Sequence, residues 1–386
     1  MAAEPHPASI DLGDLGDRGD NNDSDDTRGE PLATVTDVSF GTGIVRTVSL
    51  GPFPLESTTI LPDLVVAYRH DGPGPVDAPQ VLLVHALTGS ADAAGDWWEP
   101  LVGPGRAFDT DRFGVLCANL LGGRYGTTGP TSVDPGTGEP YGSSFPEITA
   151  RDQARAQWAL LDVLGIAELE LVTGGSLGGM VALEVALERP GAVRTVMPVA
   201  APAAIGALAM AWNRIQVEVI ERLGVEGMSL ARQLAMTTYR SELDFDSRFA
   251  GRTEADGRPS VVSYLDHQGR KLVGRFDPET YITLVGAMDS HDIGRGRGGV
   301  EAALATLNHG DTVLVGLGIE GDILFGPAQV RALLAAARAA GLPARYEELR
   351  STKGHDAFLV EWDGLTAIFR RALPPHPAGP SRRTDE

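Results

Sequence analysis

The sequence predicts an α/β protein, a doubly wound and mostly parallel sheet with a helical cap inserted late in the chain. Three observations carry that expectation. Short unbroken apolar runs alternate with stretches of helical spacing, as when parallel strands are buried on both faces. The alternation is interrupted once, over residues 203–295, by a segment too long to be a structureless loop. One strand-to-helix turn, Gly174-Gly175-Ser176-Leu177-Gly178-Gly179, is crowded with glycine around a serine.

Residues 1–32 read as a disordered acidic tail. Within residues 1–30, nine acids face two bases, and bulky apolar residues are almost absent. The tail therefore carries −7 of the net charge of −20 that 32 Lys+Arg and 52 Asp+Glu give the 386 residues. Such a surface repels phosphate backbones and disfavours nucleic-acid binding. The tail lacks the basic start and apolar run of a secretory signal. No stretch reaches the roughly 18 apolar residues of a membrane span, so a cytoplasmic protein is expected.

Residues 33–202 form the first part of the core. The runs 81–84 (VLLV) and 114–118 (GVLCA) read as buried strands. Residues 148–164 have helical spacing, with Ala154, Trp158, Leu161 and Leu164 on one face. A strand over 169–172, a helix over 176–189 stopped by Pro190, and a strand over 193–199 follow. The cap, 203–295, contains helical stretches at 207–223 and 230–239. Residues 296–373 complete the core with a strand at 312–317, a helix at 328–340 and a strand at 344–349. Residues 374–386 read as a flexible tail.

The turn at 174–179 satisfies G-x-S-x-G in the context that gives the motif meaning, a β-like run before it and a helix after it. A serine nucleophile at the end of a strand needs a sharp turn, and side chains larger than hydrogen collide there. The helix that follows places its positive end beneath the reacting centre. No lysine stands near these glycines, which excludes a phosphate loop, and G-x-G-x-x-G is absent. The single cysteine, Cys117, excludes an intrachain disulfide and a multi-cysteine metal site. With neither H-x-H nor H-E-x-x-H, no metal is expected.

A serine nucleophile needs a histidine base and an orienting acid, in the chain order Ser, Asp, His. His355 lies after the last strand and before a helix, where the base belongs; His85 precedes Ser176, and His70 reads as part of a polar turn. Asp322 stands just past the strand at 312–317, at the ligand-binding edge of such a sheet, with Glu320 its rival. The oxyanion hole needs two backbone N–H groups. Leu177 supplies one, and Leu87, in the turn directly after VLLV, the other.

Eight blocks, HALTG (85–89), NLLGGRYGTTGPTS (119–132), GGSLGGMVALE (174–184), MTTYRSELDFDSRF (236–249), SYLDHQG (263–269), MDSHDIGRGRG (288–298), DILF (322–325) and GHDAFL (354–359), resemble the homoserine O-acetyltransferases of the α/β-hydrolase fold. The resemblance spans about residues 40–372. It implies an α/β-hydrolase core with an inserted helical cap, a triad of Ser176, Asp322 and His355, and a ping-pong transfer of acetyl from acetyl-CoA to homoserine in methionine biosynthesis. Acetyl-CoA is then a co-substrate and no cofactor is required. The resemblance also implies that Arg232, Tyr239 and Asp356 hold the amino acid, and that two copies pair through the cap. Arg232 and Tyr239 are seven apart on one helical face; arginine suits a carboxylate and Asp356 an ammonium. The block 288–298 reads as a structural connection from cap to core. One departure stands out: Arg124 occupies a position where the family commonly has cysteine. Arg124 therefore bears on donor and acceptor choice, with succinyl transfer or a serine acceptor as the near alternatives. An ester hydrolase and a non-catalytic binding protein are the more distant ones.

Overall fold

The computed structural model describes residues 43–374; the acidic tail (1–32) and all but the first residue of the 374–386 tail lie outside them. The core is an eight-stranded sheet. Its strands in chain order are β1 (Val45–Ser49), β4 (Val65–Asp71), β5 (Gln80–Val84), β6 (Gly114–Ala118), β7 (Leu169–Gly175), β8 (Val193–Val199), β9 (Val313–Ile319) and β10 (Ala344–Leu349). A small hairpin, β2 (Phe53–Pro54) and β3 (Ile60–Leu61), lies apart from it. The spatial order is β1-β4-β6-β5-β7-β8-β9-β10; β6 to β10 run parallel, and β1 and β4 join antiparallel at one edge.

Strand alternation sorts the core into two layers. Leu82 and Val84 of β5 join the cluster under α1 (Ala150–Val163) and α2 (Leu177–Glu188), while Val81 and Leu83 join Trp98, Phe108 and Phe369 on the other face. Both sheet faces are covered, which is why these strands read as unbroken apolar runs. Among the antiparallel strands β1 carries no such run, and in β4 the run 65–68 gives way to polar residues. β4 ends in Arg69, His70 and Asp71, and this mixed stretch is not among the strands expected from sequence. His70 is not in a polar turn but buried in β4, with Nε2 2.9 Å from Gln80 Oε1.

Five longer helices follow β8: α3 (Ala207–Leu223), α4 (Val225–Tyr239), α5 (Glu242–Phe249), α6 (Ser260–Val273) and α7 (Pro278–Asp289). The chain leaves and re-enters the core along two adjacent segments. The Ile205 amide donates to His291 O (2.9 Å), and the Ile293 amide to Ala203 O (3.0 Å). His291, fully buried, is paired through Nε2 with Pro202 O at 2.8 Å. A carbonyl only accepts, so Nε2 carries the proton; burial pushes the pKa down to about 4, and the ring is neutral. No helix among the described residues is long and apolar enough to cross a membrane.

The arginines of 288–298 serve this connection. Arg297 pairs with Glu184 and Glu188 of α2, each at 2.8 Å, and Arg295 pairs with Glu56 at 2.7 Å. Arg151 of α1 reaches Glu56 (2.8 Å) and Glu184 (3.3 Å). Burial raises the pKa of Glu184, and its two arginines oppose that. The set ties the chain returning from the cap to two core helices and the β2–β3 hairpin. Arg297→Met leaves the buried Glu184 only the longer Arg151 contact and is expected to lower stability by about 2 kcal/mol, measured by urea unfolding. An unchanged midpoint would remove the network from the fold's stability.

Candidate active site

The parallel strands β5, β7, β9 and β10 end at one edge of the sheet, and the loop after each delivers one part of the site. Ser176 follows β7 with φ 58° and ψ −124°, a conformation a residue with a side chain rarely adopts. Its amide donates to Val199 O (2.9 Å), and its carbonyl accepts from the Gly179 and Met180 amides, starting α2. Around it β5 packs against backbone. A Cβ on Gly174 would lie 2.3 Å from Val84 O, and one on Gly178 2.2 Å from the same oxygen. Only glycine permits that approach.

Asp322 stands three residues beyond β9, and His355 is the second residue of the 3₁₀ turn Gly354–Leu359 after β10. His355 Nδ1 and Asp322 Oδ2 are 2.7 Å apart. The other carboxylate oxygen accepts the amides of Leu324 (2.8 Å) and Phe325 (3.0 Å), so both oxygens are fixed. The rival Glu320 is exposed at the strand end. The imidazole sits among Phe325, Phe358 and Tyr239, with ring centroids 5.5, 5.5 and 5.8 Å away. Burial disfavours a charged imidazole, but the Asp322 charge and hydrogen bond, with Asp356 nearby, outweigh it and raise the pKa of His355 above the ordinary value. His355 Nε2 is buried and has no hydrogen-bond partner among the described residues, Ser176 included. Base–nucleophile bonds of this kind tighten when the reacting group arrives.

The amides of Leu87 and Leu177 have no acceptor among the described residues. The peptide that carries the Leu87 N–H is fixed through its carbonyl. Ala86 O accepts from the Gly89 amide (3.0 Å) and from His85 Nδ1 (2.7 Å). In a trans peptide the N–H points opposite to the C=O, so holding one aims the other. His85 can donate there because the Leu120 amide donates to its Nε2 (3.0 Å), which settles the tautomer. Burial pushes the His85 pKa down to about 4, so the ring stays neutral. Sequence order set His85 aside as a base and gave no signal for this role, which depends on two backbone groups meeting its ring.

Arg232 and Tyr239 lie on α4, and the guanidinium carbon is 5.4 Å from the Tyr239 ring centroid. Behind Tyr239 stands Tyr281, fully buried, whose hydroxyl donates to Gln216 Oε1 at 2.6 Å. Burial raises the pKa of both tyrosines, so both are neutral hydroxyls. Asp356 is held by Arg240, a buried residue missed in the sequence, with Nε 3.1 Å from Oδ2. Arg124 is half-buried, and its carbonyl accepts from Asn119 Nδ2 at 2.9 Å. Asp322 and Tyr239 thus lie against His355 and Arg232 against Tyr239, Asp356 already has a cationic partner, and among the described residues no contact brings the Arg124 side chain to them. Among the described residues, no cluster of three His, Cys, Asp or Glu side chains has the arrangement of a metal site.

A family model described as the alpha/beta hydrolase fold matches residues 79–361. The homoserine O-acetyltransferase of Nostoc punctiforme is 42% identical over 340 residues, 83% of this chain and 93% of the relative. That of Thermus thermophilus is 45% identical over 322 residues, 76% and 81% of the two chains. The crystal structure of homoserine O-acetyltransferase from Bacillus anthracis superposes with a TM-score of 0.78 at 22% identity, covering 86% of this chain and 98% of that one.

A base must be neutral to take a proton, so the rate should fall as pH drops through the raised pKa of His355. Asp322→Asn removes what raises it. The acid limb of kcat/KM for p-nitrophenyl acetate is expected to move to lower pH, with kcat down by about 10³–10⁴. An acid limb that does not move would separate Asp322 from the base.

Proposed function

The chain belongs to the homoserine O-acetyltransferase family of the α/β-hydrolase fold, and from that premise we propose that Ser176, His355 and Asp322 move acetyl from acetyl-CoA to L-homoserine in a ping-pong cycle. The product serves methionine biosynthesis, and a cytoplasmic location fits the co-substrate. The observation that carries most weight is the buried base: His355 has one nitrogen bound to Asp322 and the other without a partner, beside a serine held on a strained turn.

In the first half-reaction Ser176 Oγ attacks the thioester carbonyl carbon, and His355 Nε2 takes its proton. The oxygen gains charge and is met by the Leu87 and Leu177 amides. The C–S bond breaks, the proton passes from His355 to sulfur, and CoA leaves. In the second half the homoserine hydroxyl gives its proton to His355 and attacks the acetyl-serine carbonyl. The bond to Ser176 breaks, and Ser176 recovers a proton. Arg232 suits the acceptor's carboxylate. Asp356, with Arg240 on Oδ2, offers Oδ1 to its ammonium. The Tyr239 ring lies 5.4 Å from the Arg232 guanidinium carbon and 5.8 Å from the imidazole. A hydroxyl acceptor must compete with water, and the apolar rings around His355 favour it. No metal and no resident cofactor enter this chemistry.

The test is thiol release from acetyl-CoA or succinyl-CoA, each with L-homoserine, L-serine or no acceptor. Acetyl-CoA with homoserine should be fastest, and Ser176→Ala should lose at least about 10³-fold. Equal release without an acceptor would make the protein a thioester hydrolase. Arg124→Cys should lose residual use of succinyl-CoA; an unchanged donor ratio removes Arg124 from donor choice.

The partner is a second copy. Leu208, Ile215, Leu223, Val225 and Leu230 are exposed on α3 and α4, more large apolar surface than a monomer's cap needs. Sedimentation should give a dimer, and Leu223→Glu with Leu230→Glu a monomer; a wild-type monomer at micromolar concentration would end the pairing.

A further inference from the structure

Residues 85–91, which carry one oxyanion donor, are not held by packing alone. A cavity of about 330 Å³ lies along Thr88, Gly89, Ser90 and Ala91, with Asn119, Tyr125 and Arg275 on its walls. On that side the loop is fixed by polar contacts. One of them comes from the cap, 187 residues away in sequence. Arg275 lies in the turn between α6 and α7; its Nη1 donates to Thr88 O at 2.8 Å and its Nη2 to Thr88 Oγ1 at 3.3 Å. Thr88 is the residue after the oxyanion amide.

Arg275 is itself secured. Its carbonyl accepts from the Tyr125 hydroxyl at 2.8 Å. Its neighbour Phe276 is buried, and Asp277 caps α7 through the Thr280 amide at 2.9 Å. Tyr125 has φ 64°, unusual for a bulky residue, and Asn119 holds its carbonyl at 2.6 Å. The Asn119 side-chain oxygen in turn accepts from the Ala91 amide at the far end of the oxyanion loop. The contacts run in a closed path: oxyanion loop, cap turn, Tyr125, Asn119, oxyanion loop. A strained residue inside such a path persists because its surroundings over-determine it.

We propose that Arg275 is a positioning residue for acyl transfer, through which the cap holds the oxyanion loop in its working shape. The guanidinium reaches no reacting atom; it acts by fixing Thr88 and thereby the Leu87 N–H next to it. A phosphate-binding role for the same arginine is poorly served, because Asp92 and Asp96 share the cavity wall. The inference rests on the serine acyl-transfer reading, and p-nitrophenyl acetate keeps the two apart because its acetyl group needs the oxyanion hole but neither CoA nor homoserine.

The experiment compares wild type, Arg275→Met and Arg275→Lys. It measures the rate constant and amplitude of the p-nitrophenol burst, then kcat and both KM values for acetyl-CoA with homoserine. Burst amplitude counts folded sites, so the rate constant is free of folding losses. Arg275→Met is expected to lower the burst rate constant and kcat together, on the order of tenfold, with both KM values within about twofold. Arg275→Lys should recover part of the rate, since an ammonium still reaches one carbonyl. An unchanged burst rate constant overturns the proposal, whether the amplitude falls or not. A raised KM for acetyl-CoA with normal p-nitrophenyl acetate kinetics also overturns it and makes Arg275 a donor-binding residue. A wild-type burst without acetylation of homoserine would sink the acceptor reading, and the burst rate constants would still decide the role of Arg275.

Discussion

The contact between the Val84 carbonyl and the two glycines that flank the nucleophile sets the scale of the whole site. β5 lies so close to the turn at Ser176 that neither Gly174 nor Gly178 has room for a methyl group. That closeness has two effects. It confines the turn, so Ser176 stays in a conformation that costs roughly 1–3 kcal/mol in isolation. It also brings the loop that continues β5, residues 85–91, next to the nucleophile. In the proposed reaction the same approach places the attacking oxygen and the amide that meets the developing charge.

Each group of the proposed triad and oxyanion loop is held by partners that leave one function free. Asp322 spends one oxygen on two amides and the other on His355. His355 keeps only Nε2 for chemistry. His85 uses both nitrogens on backbone, so that the peptide between Ala86 and Leu87 has one orientation. Preorganisation of this kind lets charge develop without rearrangement of the surrounding dipoles. The opposite pKa shifts of the histidines follow from their partners. His85 and His291 are buried against carbonyls and stay neutral far into acid; His355 faces a carboxylate and binds its proton more tightly.

The cap is tied to the core at several separated points, the Arg240–Asp356 pair among them. Buried ion pairs fix the segment that returns from it, His291 joins its two connecting segments, and Arg275 meets the oxyanion loop. Arginine suits the ion pairs and the Thr88 contact because its planar donors satisfy carboxylates and carbonyls together. Against the chain's net charge of −20, of which residues 1–30 carry −7, these paired arginines are the informative charges.

The sequence by itself determined the features written in short, contiguous stretches. Unbroken apolar runs marked the strands covered on both faces, G-x-S-x-G marked the turn, and chain order selected Asp322 and His355 from many acids and histidines. The blocks that resemble a known family extended this to Arg232, Tyr239 and Asp356. Only the tertiary structure decided what depends on distant groups meeting. It placed β4, apolar in its first half and polar in its second, in the sheet, set the His85 ring on the Ala86 carbonyl, paired Asp356 with Arg240, and laid Arg275 on Thr88. The physical reason is the same in each case. A local pattern encodes burial and turn geometry, whereas a hydrogen bond between residues far apart in sequence leaves no trace in the neighbourhood of either one.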